Sequence, residues 1–395
     1  MSQPIAAQQF DVIILGAGAA GLMCAATAGQ RGRRVALLEH GAQAGRKILI
    51  SGGGRCKFTN LHCGPDNFNS ENRHFAKSAL ALHRPRHFIE LVDRYGIRWH
   101  EKTLGQLFCD GSARAILEML LAECALGGVE IVLSARGIQV EGAGASGGFR
   151  IASSAGEMRA DTVVVATGGL SIPKMGATGL GYELARQFGL QVVTPRPALV
   201  PLVLGGHEAG WMGLAGVSAE VVASSGGVTF REKMLVTHKG VSGPAVLQAS
   251  SYWRAGEELL LDFAPDLDLL EALKEPGSRR DLGSLKQALK EVVPQRLAQY
   301  LTDESGPKSW SNAALADWEH RLHRWTLHPL GTEGFEKAEV TAGGVDTAGL
   351  QARTMEARNA PGLFFIGEAV DVTGWLGGFN FQWAWSSGVA AGRAV

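Results

Sequence analysis

Residues 10–39 read FDVIILGAGAAGLMCAATAGQRGRRVALLE, and this stretch decides the fold. Positions 10–15 are apolar except for Asp11, which predicts a strand buried on both faces, as in a parallel sheet. Residues 19–31 are alanine-rich with helical periodicity, and a second apolar run over 35–38 ends at Glu39. A βαβ unit is expected. Its turn carries Gly16, Gly18 and Gly21, with Ala19 and Ala20 between them. Glycine spacing of this kind is weak evidence alone, but here it joins a strand to a helix and an acidic residue closes the next strand. Gly16 allows the tight turn, Gly18 lets a pyrophosphate approach the backbone, and Gly21 lets helix and strand pack closely. The first helical turn offers unpaired N–H groups and a positive dipole end to phosphates. Glu39 can accept the hydroxyls of an adenosine ribose and disfavours a 2′-phosphate.

A second segment narrows the ligand. Residues 362–372, GLFFIGEAVDV, read as an apolar strand ending in Gly367 and Glu368. A carboxylate there can reach the ribityl hydroxyls of a flavin, a chain that NAD lacks. Gly377, Gly378, Phe379, Asn380, Phe381 and Gln382 then lead into an apolar helix expected over 383–393. The positive end of that helix would stabilise negative charge at the N1/C2 carbonyl region of a reduced flavin. A third glycine turn, Ala166-Thr167-Gly168-Gly169, follows the run VVVAT and reads equally well as a plain strand exit. These segments predict FAD as cofactor, with Arg46, Lys47, Gly53, Gly54, Gly137 and Asp371 as further cofactor-side candidates.

The chain has 395 residues, 46% apolar and 19% charged, enough for two or three ordinary cores. Its formal net charge is zero, which gives no overall reason to expect nucleic acid or an anionic membrane. Residues 46–102 depart from that balance, with eleven Lys and Arg against five Asp and Glu. This stretch is either a solvated helical face or a surface for an anionic substrate or RNA. The five cysteines are scattered with no Cys-x-x-Cys pair, so neither a disulfide framework nor a metal site is expected. The first nine residues show no leader-like pattern and no apolar run reaches the roughly 18 residues of a bilayer span. A cytoplasmic protein is expected.

Pro195, Pro197 and Pro201 mark a change to short β-like runs, and a helical, tryptophan-bearing pattern follows from about residue 267 to 327. The expected organisation is a first part of the FAD domain over 1–195, an inserted β-rich module over 196–265, a helical module over 266–335, and the rest of the FAD domain over 336–395. Residues 75–126 read as mostly helical, with strands expected over 129–133, 149–153 and 161–167.

The motifs GRKILISGGGRCKFTN (45–60), THKGVSGPAVLQASSYW (237–253), EVTAGGV (339–345) and GLFFIGEAVDVTGWLGGFNFQWAWSSGVAAG (362–392) resemble the HI0933-like flavoproteins. The resemblance covers nearly the whole chain and is nearest a shorter subgroup often labelled aminoacetone oxidase. It implies an α/β fold, a glutathione-reductase-type FAD domain interrupted by a β-barrel-like and a small helical module. Other members are associated with reducing activated carbon–carbon double bonds, in steroid-like acids or in a uracil ring of ribosomal RNA. Lys57 stands where members commonly have Asn, and Gly105-Gln106-Leu107-Phe108-Cys109 replaces a common Gly-Arg-x-Phe-Pro. The substrate is therefore not transferred.

Three consecutive glycines, Gly52 to Gly54, would let main chain lie against a flat ring, and Arg55 could offset charge on phosphate or substrate. Beside Arg55 and Lys57, a Cys56 thiolate would be favoured, making it a candidate proton donor or redox partner. The alternative is a small residue packed under the flavin. His238, beside Lys239, either faces the flavin or belongs to a structural loop. Trp375, Phe379 and Trp383 either wall the cofactor or form core. The absence of a second complete glycine fingerprint leaves NADH or NADPH as a transient donor, or electrons arriving by another route. Three functions stay open: a reductase or dehydrogenase of a small organic molecule, an RNA-uracil reductase, and a non-catalytic FAD-binding protein.

Overall fold

The expected βαβ unit consists of β1 (Gln8–Leu15), α1 (Ala19–Gln30) and β2 (Val35–Leu38). The computed structural model describes residues 8–142 and 147–395; positions 1–7, most of the stretch read for a leader, lie outside it. β3 (Lys57–Asn60) and α2 (Pro85–Arg94) follow, then β4 (Gly156–Val165), β5 (Leu363–Phe365) and α3 (Phe379–Ala394). The chain divides into two compact units, one running up to Arg196 and resuming at Val340–Val395, the other spanning Pro197–Glu339.

In the first unit β1 pairs in parallel with β2, Val12 opposite Val35 through Leu15 opposite Leu38. On its other side β1 pairs in parallel with β4, which in turn takes β5 beside Val163, Val164 and Val165. Both faces are covered, so Ile13, Ile14, Leu37, Val163 and Val164 are wholly buried and the strands carry continuous apolar runs. The strand Phe149–Ser153 pairs antiparallel with the outer half of β4.

α1 is built of small residues and lies against α3. A Cβ at Gly388 would sit 2.7 Å from the Ala20 carbonyl oxygen, and one at Gly392 2.7 Å from the Thr27 Cβ. Position 388 thus faces the start of α1 and 392 its middle, so the helices run parallel. Arg31 donates to the carbonyls of Gly392 and Val395, both at 2.9 Å, satisfying two terminal acceptors of α3 with a cation at its negative end.

Residues 75–126 are less helical than expected. Trp99–Glu101 and Gln106–Cys109 form a three-stranded antiparallel sheet with β3 between the helices. The runs are too short for their period to be visible in sequence. The second unit carries a seven-stranded antiparallel sheet and the helices Pro244–Ser250, Leu282–Leu289, Gln295–Ser305 and Asn312–Leu322, with Trp211 and Trp318 buried.

Candidate functional site

The three glycines of the first turn serve different ends. Gly16 has φ +105°, and a Cβ there would lie 2.6 Å from the Ala166 carbonyl oxygen, so the turn touches the end of β4. A Cβ at Gly21 would lie 1.9 Å from the Gly16 carbonyl oxygen. Gly18 has ordinary extended dihedrals and no heavy atom within 4 Å of an added Cβ. The protein's own packing does not demand glycine there; a ligand approaching the backbone would. With no side chain at Gly18 to cap α1, the amides of Ala19, Ala20 and Gly21 are offered to a ligand.

Glu39 is buried at the end of β2. Its carboxylate accepts from the Ala17 N–H at 2.9 Å and the Gly41 N–H at 2.7 Å, with His40 Nδ1 at 3.0 Å. It therefore holds the glycine loop in place and keeps lone pairs for further donors. Half-buried Arg46 lies nearby, its guanidinium 3.3 Å from where a Cβ on Gly176 would stand. The exposed Gly137 follows two residues after Ala135, whose N–H donates to the Glu39 carbonyl at 2.9 Å.

Around the end of β5, Lys47 Nζ donates to Glu368 at 2.9 Å and to Ser171 Oγ at 2.7 Å. Ser171 Oγ and the Thr341 N–H each donate to the other Glu368 oxygen at 2.9 Å. Gly169 is required beside them, since its Cβ would fall 2.7 Å from that same oxygen. Thr167 Oγ1 is buried without a hydrogen-bond partner, and Gly168, at φ +75°, stands clear of other atoms. The Thr167 hydroxyl packs against Gly181 rather than into open space. Gly367 packs against α1, its Cβ position 2.8 Å from the Ala20 Cβ. Asp371 is turned elsewhere: it accepts from the Glu71 N–H at 2.9 Å, and burial raises its carboxyl pKa.

Glu368 thus bonds to protein even before any ligand is considered. Glu368→Ala is expected to lower the stability of the apoprotein by about 2 kcal/mol, because Lys47 and the Thr341 amide lose their acceptor. Chemical denaturation of apo and FAD-loaded protein checks this; an unchanged apoprotein midpoint would show that the cluster adds nothing to the fold.

At the start of α3, Gly378 has φ +102° and backs onto Thr59, where a Cβ would come within 2.4 Å of the carbonyl oxygen. Asn380 closes the preceding turn, accepting from the Gly374 N–H and donating to the Gly374 carbonyl, both at 2.8 Å. Phe381 stacks on Trp385. No side chain caps α3, so its first amides are also available. Because Gly388 lies opposite Ala20 to Cys24, α3 extends roughly 10 Å beyond the start of α1 at 1.5 Å per residue. Two parallel positive helix ends are staggered along one direction, matching an elongated ligand with separated acceptors. Phe379 and Trp383 are core, buried against Phe68, while Trp375 is half-buried.

In the Ser51–Gly54 loop, Gly52, Gly53 and Gly54 have φ of 58°, 67° and 83°, left-handed values that favour glycine. Gly53 and Arg55 are exposed, and nothing packs near a Cβ on Gly53. The expectation of a favoured Cys56 thiolate is corrected here. The side chain is wholly buried and burial pushes its thiol up to about 12, overriding its charged sequence neighbours. The unfolded thiol ionises from about pH 9 while the folded one stays protonated, so the folded state loses stability as pH rises between these values. Cys56→Ala is expected to make stability fall less steeply with pH over that window. An unchanged slope in denaturation curves from pH 9 to 11 would refute this.

His238 lies in the second unit, exposed in the turn between the strands Val228–Val236 and Gly240–Ser242, next to Lys239, which pairs with Glu333 at 3.4 Å. That unit also groups His207, Glu208 and His328, with possible ligand atoms within 4.8 Å of one another. Ser171, Thr341 and Gln382 were not singled out in sequence. Gln382 is wholly buried, accepts from Thr59 Oγ1 at 2.6 Å and donates to the His83 carbonyl at 2.7 Å. No local pattern marks a glutamine or threonine that acts through a distant partner.

Residues 10–394 match the family described as HI0933-like protein Rossmann domain. The chain belongs to this family. It is 48% identical over 395 residues to a protein of Escherichia coli (strain K12) named ribosomal RNA dihydrouridine synthase, with 98% of each chain covered. Identity to a like-named protein of Haemophilus influenzae is 42%, covering 98% of this chain and 99% of that one. A 3-dehydro-bile acid delta(4,6)-reductase of Clostridium scindens is 31% identical, with 97% and 98% covered. The protein is an FAD-dependent oxidoreductase of α/β fold. Among the described residues no helix is long and apolar enough to cross a membrane.

Proposed function

We propose that this oxidoreductase reduces a uracil base of ribosomal RNA to dihydrouracil. The observation that carries the reading is the 48% identity, over 98% of both chains, to a protein named for that reaction. The cationic excess of residues 46–102 supports it, since RNA phosphates need such a surface. FAD, when bound, supplies hydride for the pyrimidine double bond, and a proton completes the addition at the neighbouring carbon.

This chain's residues bind and orient. Gly18 and the amides of Ala19, Ala20 and Gly21 hold the pyrophosphate, and Glu39 the adenosine ribose. Lys47 and Glu368 would hold the ribityl chain. The loop at Gly53 and Gly54 and the amides at Asn380 and Phe381 would hold the flavin ring, the amides favouring negative charge on it. Arg55, exposed at the end of that loop, meets substrate charge. Cys56 packs beneath it, and the proton comes from solvent or from a substrate group. NADH or NADPH acts as a transient electron donor.

The test is incubation of holoprotein with unmodified ribosomal RNA transcripts and either nicotinamide donor or dithionite, followed by nucleoside mass spectrometry. Uridine gaining two hydrogen atoms is the expected result. Reoxidation of the reduced flavin by a 3-oxo-4-ene steroid acid, with no change in RNA, would instead favour the second reading, which rests on the bile-acid reductase relative.

A further inference from the structure

A cavity of about 500 Å³ lies outside the site described above, in the first unit, walled by the segment after β3 and by the start of α2 with the helix preceding it. Leu61, Leu80 and Ile89 give it an aliphatic lining, and Lys77, Arg84 and Arg86 contribute cations. No acidic residue lines it. All three cations are exposed, and among the described residues none is paired with a carboxylate.

The charge distribution around α2 runs against its own stability. Arg84 holds the N-cap position with no capping bond from its side chain, Pro85 opens the helix, Arg86 and His87 follow, and the first turn holds no acidic residue. Cations at the positive end of a helix repel its dipole, an arrangement that an anion at the same place relieves. Leu61, 44% exposed, adds apolar surface beside these charges. An aliphatic pocket edged by cations that no carboxylate neutralises among the described residues fits a chain of alternating phosphates and flat apolar faces.

The pocket is also fixed relative to α3. The His83 carbonyl, next to Arg84, accepts from Gln382 Nε2 at 2.7 Å and Ser386 Oγ at 2.8 Å. Leu61 follows β3 directly, and the Thr59 backbone of β3 is the surface onto which Gly378 packs. One framework therefore carries both the first turn of α3 and the pocket.

We infer that this cavity is a binding site for single-stranded RNA flanking the reduced base, with phosphates on Lys77, Arg84 and Arg86 and a neighbouring nucleoside against Leu61, Leu80 and Ile89. The inference rests on the RNA-reductase reading and names how that substrate is held. Aliphatic contacts discriminate poorly among bases, so the site grips and positions the strand while target choice is made elsewhere.

The experiment compares wild-type holoprotein with Lys77→Glu/Arg84→Glu/Arg86→Glu for binding to unmodified ribosomal RNA transcripts between low and moderate salt. The triple variant is expected to keep its flavin, bind the transcripts at least tenfold more weakly, and show a log–log salt slope smaller by about 2, as for three lost contacts to a single strand. Unchanged affinity and slope in the variant, with wild type active on RNA, would overturn the site and leave the RNA reading standing. A wild-type protein that neither binds nor reduces the transcripts would remove the reading itself. Should the triple variant lose its flavin, photocrosslinking of wild-type protein to transcripts carrying 4-thiouridine decides. Crosslinks within residues 61–89 support the pocket, and crosslinks confined to other segments overturn it.

Discussion

Gly18→Val is expected to weaken FAD binding at least a hundredfold while costing the apoprotein about 1 kcal/mol or less. The backbone at Gly18 has φ −82° and ψ −170°, comfortable for a β-branched residue, and an added Cβ meets no protein atom within 4 Å. The cost to the fold is limited to a poorer helix N-cap. The new side chain instead fills the approach to the amides of α1, where the pyrophosphate is proposed to bind. Gly21→Val provides the contrast: with a Cβ position 1.9 Å from the Gly16 carbonyl oxygen, helix and turn cannot keep their spacing and the whole unit is expected to unfold. Flavin absorbance after gel filtration and thermal unfolding of apoprotein separate the two. Full flavin retention in Gly18→Val would move the pyrophosphate away from this turn.

Gly388→Val is expected to destabilise apo and holo protein alike by about 3 kcal/mol, with flavin lost as a consequence rather than as the first effect. Position 388 presses α3 against α1, and a Cβ there would lie 2.7 Å from the Ala20 carbonyl oxygen and 3.2 Å from the Cys24 amide nitrogen. Both contacts are backbone, so no side chain can rotate out of the way. Separating the helices also disturbs the stagger between their positive ends, on which the proposed cofactor site depends. Denaturant midpoints of apo and holo protein test this, and wild-type stability in Gly388→Val would show that the two helices tolerate a wider spacing than the structure gives them.

These expectations also separate what is legible locally from what is not. The apolar runs over 10–15 and 35–38, the alanine-rich helix between them and the glycines at 16, 18 and 21 specify β1, α1 and β2 without help from the rest of the chain. Their periodicity and turn chemistry involve neighbours a few residues apart. The same holds for α3, although the helix begins at Phe379, a turn earlier than its apolar run suggests. The two strands that join β3, Trp99–Glu101 and Gln106–Cys109, lie within a stretch that reads as helical, because strands of three or four residues have too little length to display a period.

By itself the sequence determined the βαβ core and the glycine turns, and it nominated groups for a flavin site. Tertiary structure decided what each of those groups does. Glycines 18 and 21 look alike in the motif, yet one faces open space and the other a carbonyl oxygen. Glu368 looks like a free ligand for a sugar chain, but Lys47, Ser171 and Thr341 converge on it from distant parts of the chain. Cys56 looks activated by its charged sequence neighbours, and burial instead pushes its thiol up to about 12. Backbone propensity and turn geometry depend on adjacent residues and are written locally, whereas burial, hydrogen-bond partners and pKa depend on which remote segment covers a side chain.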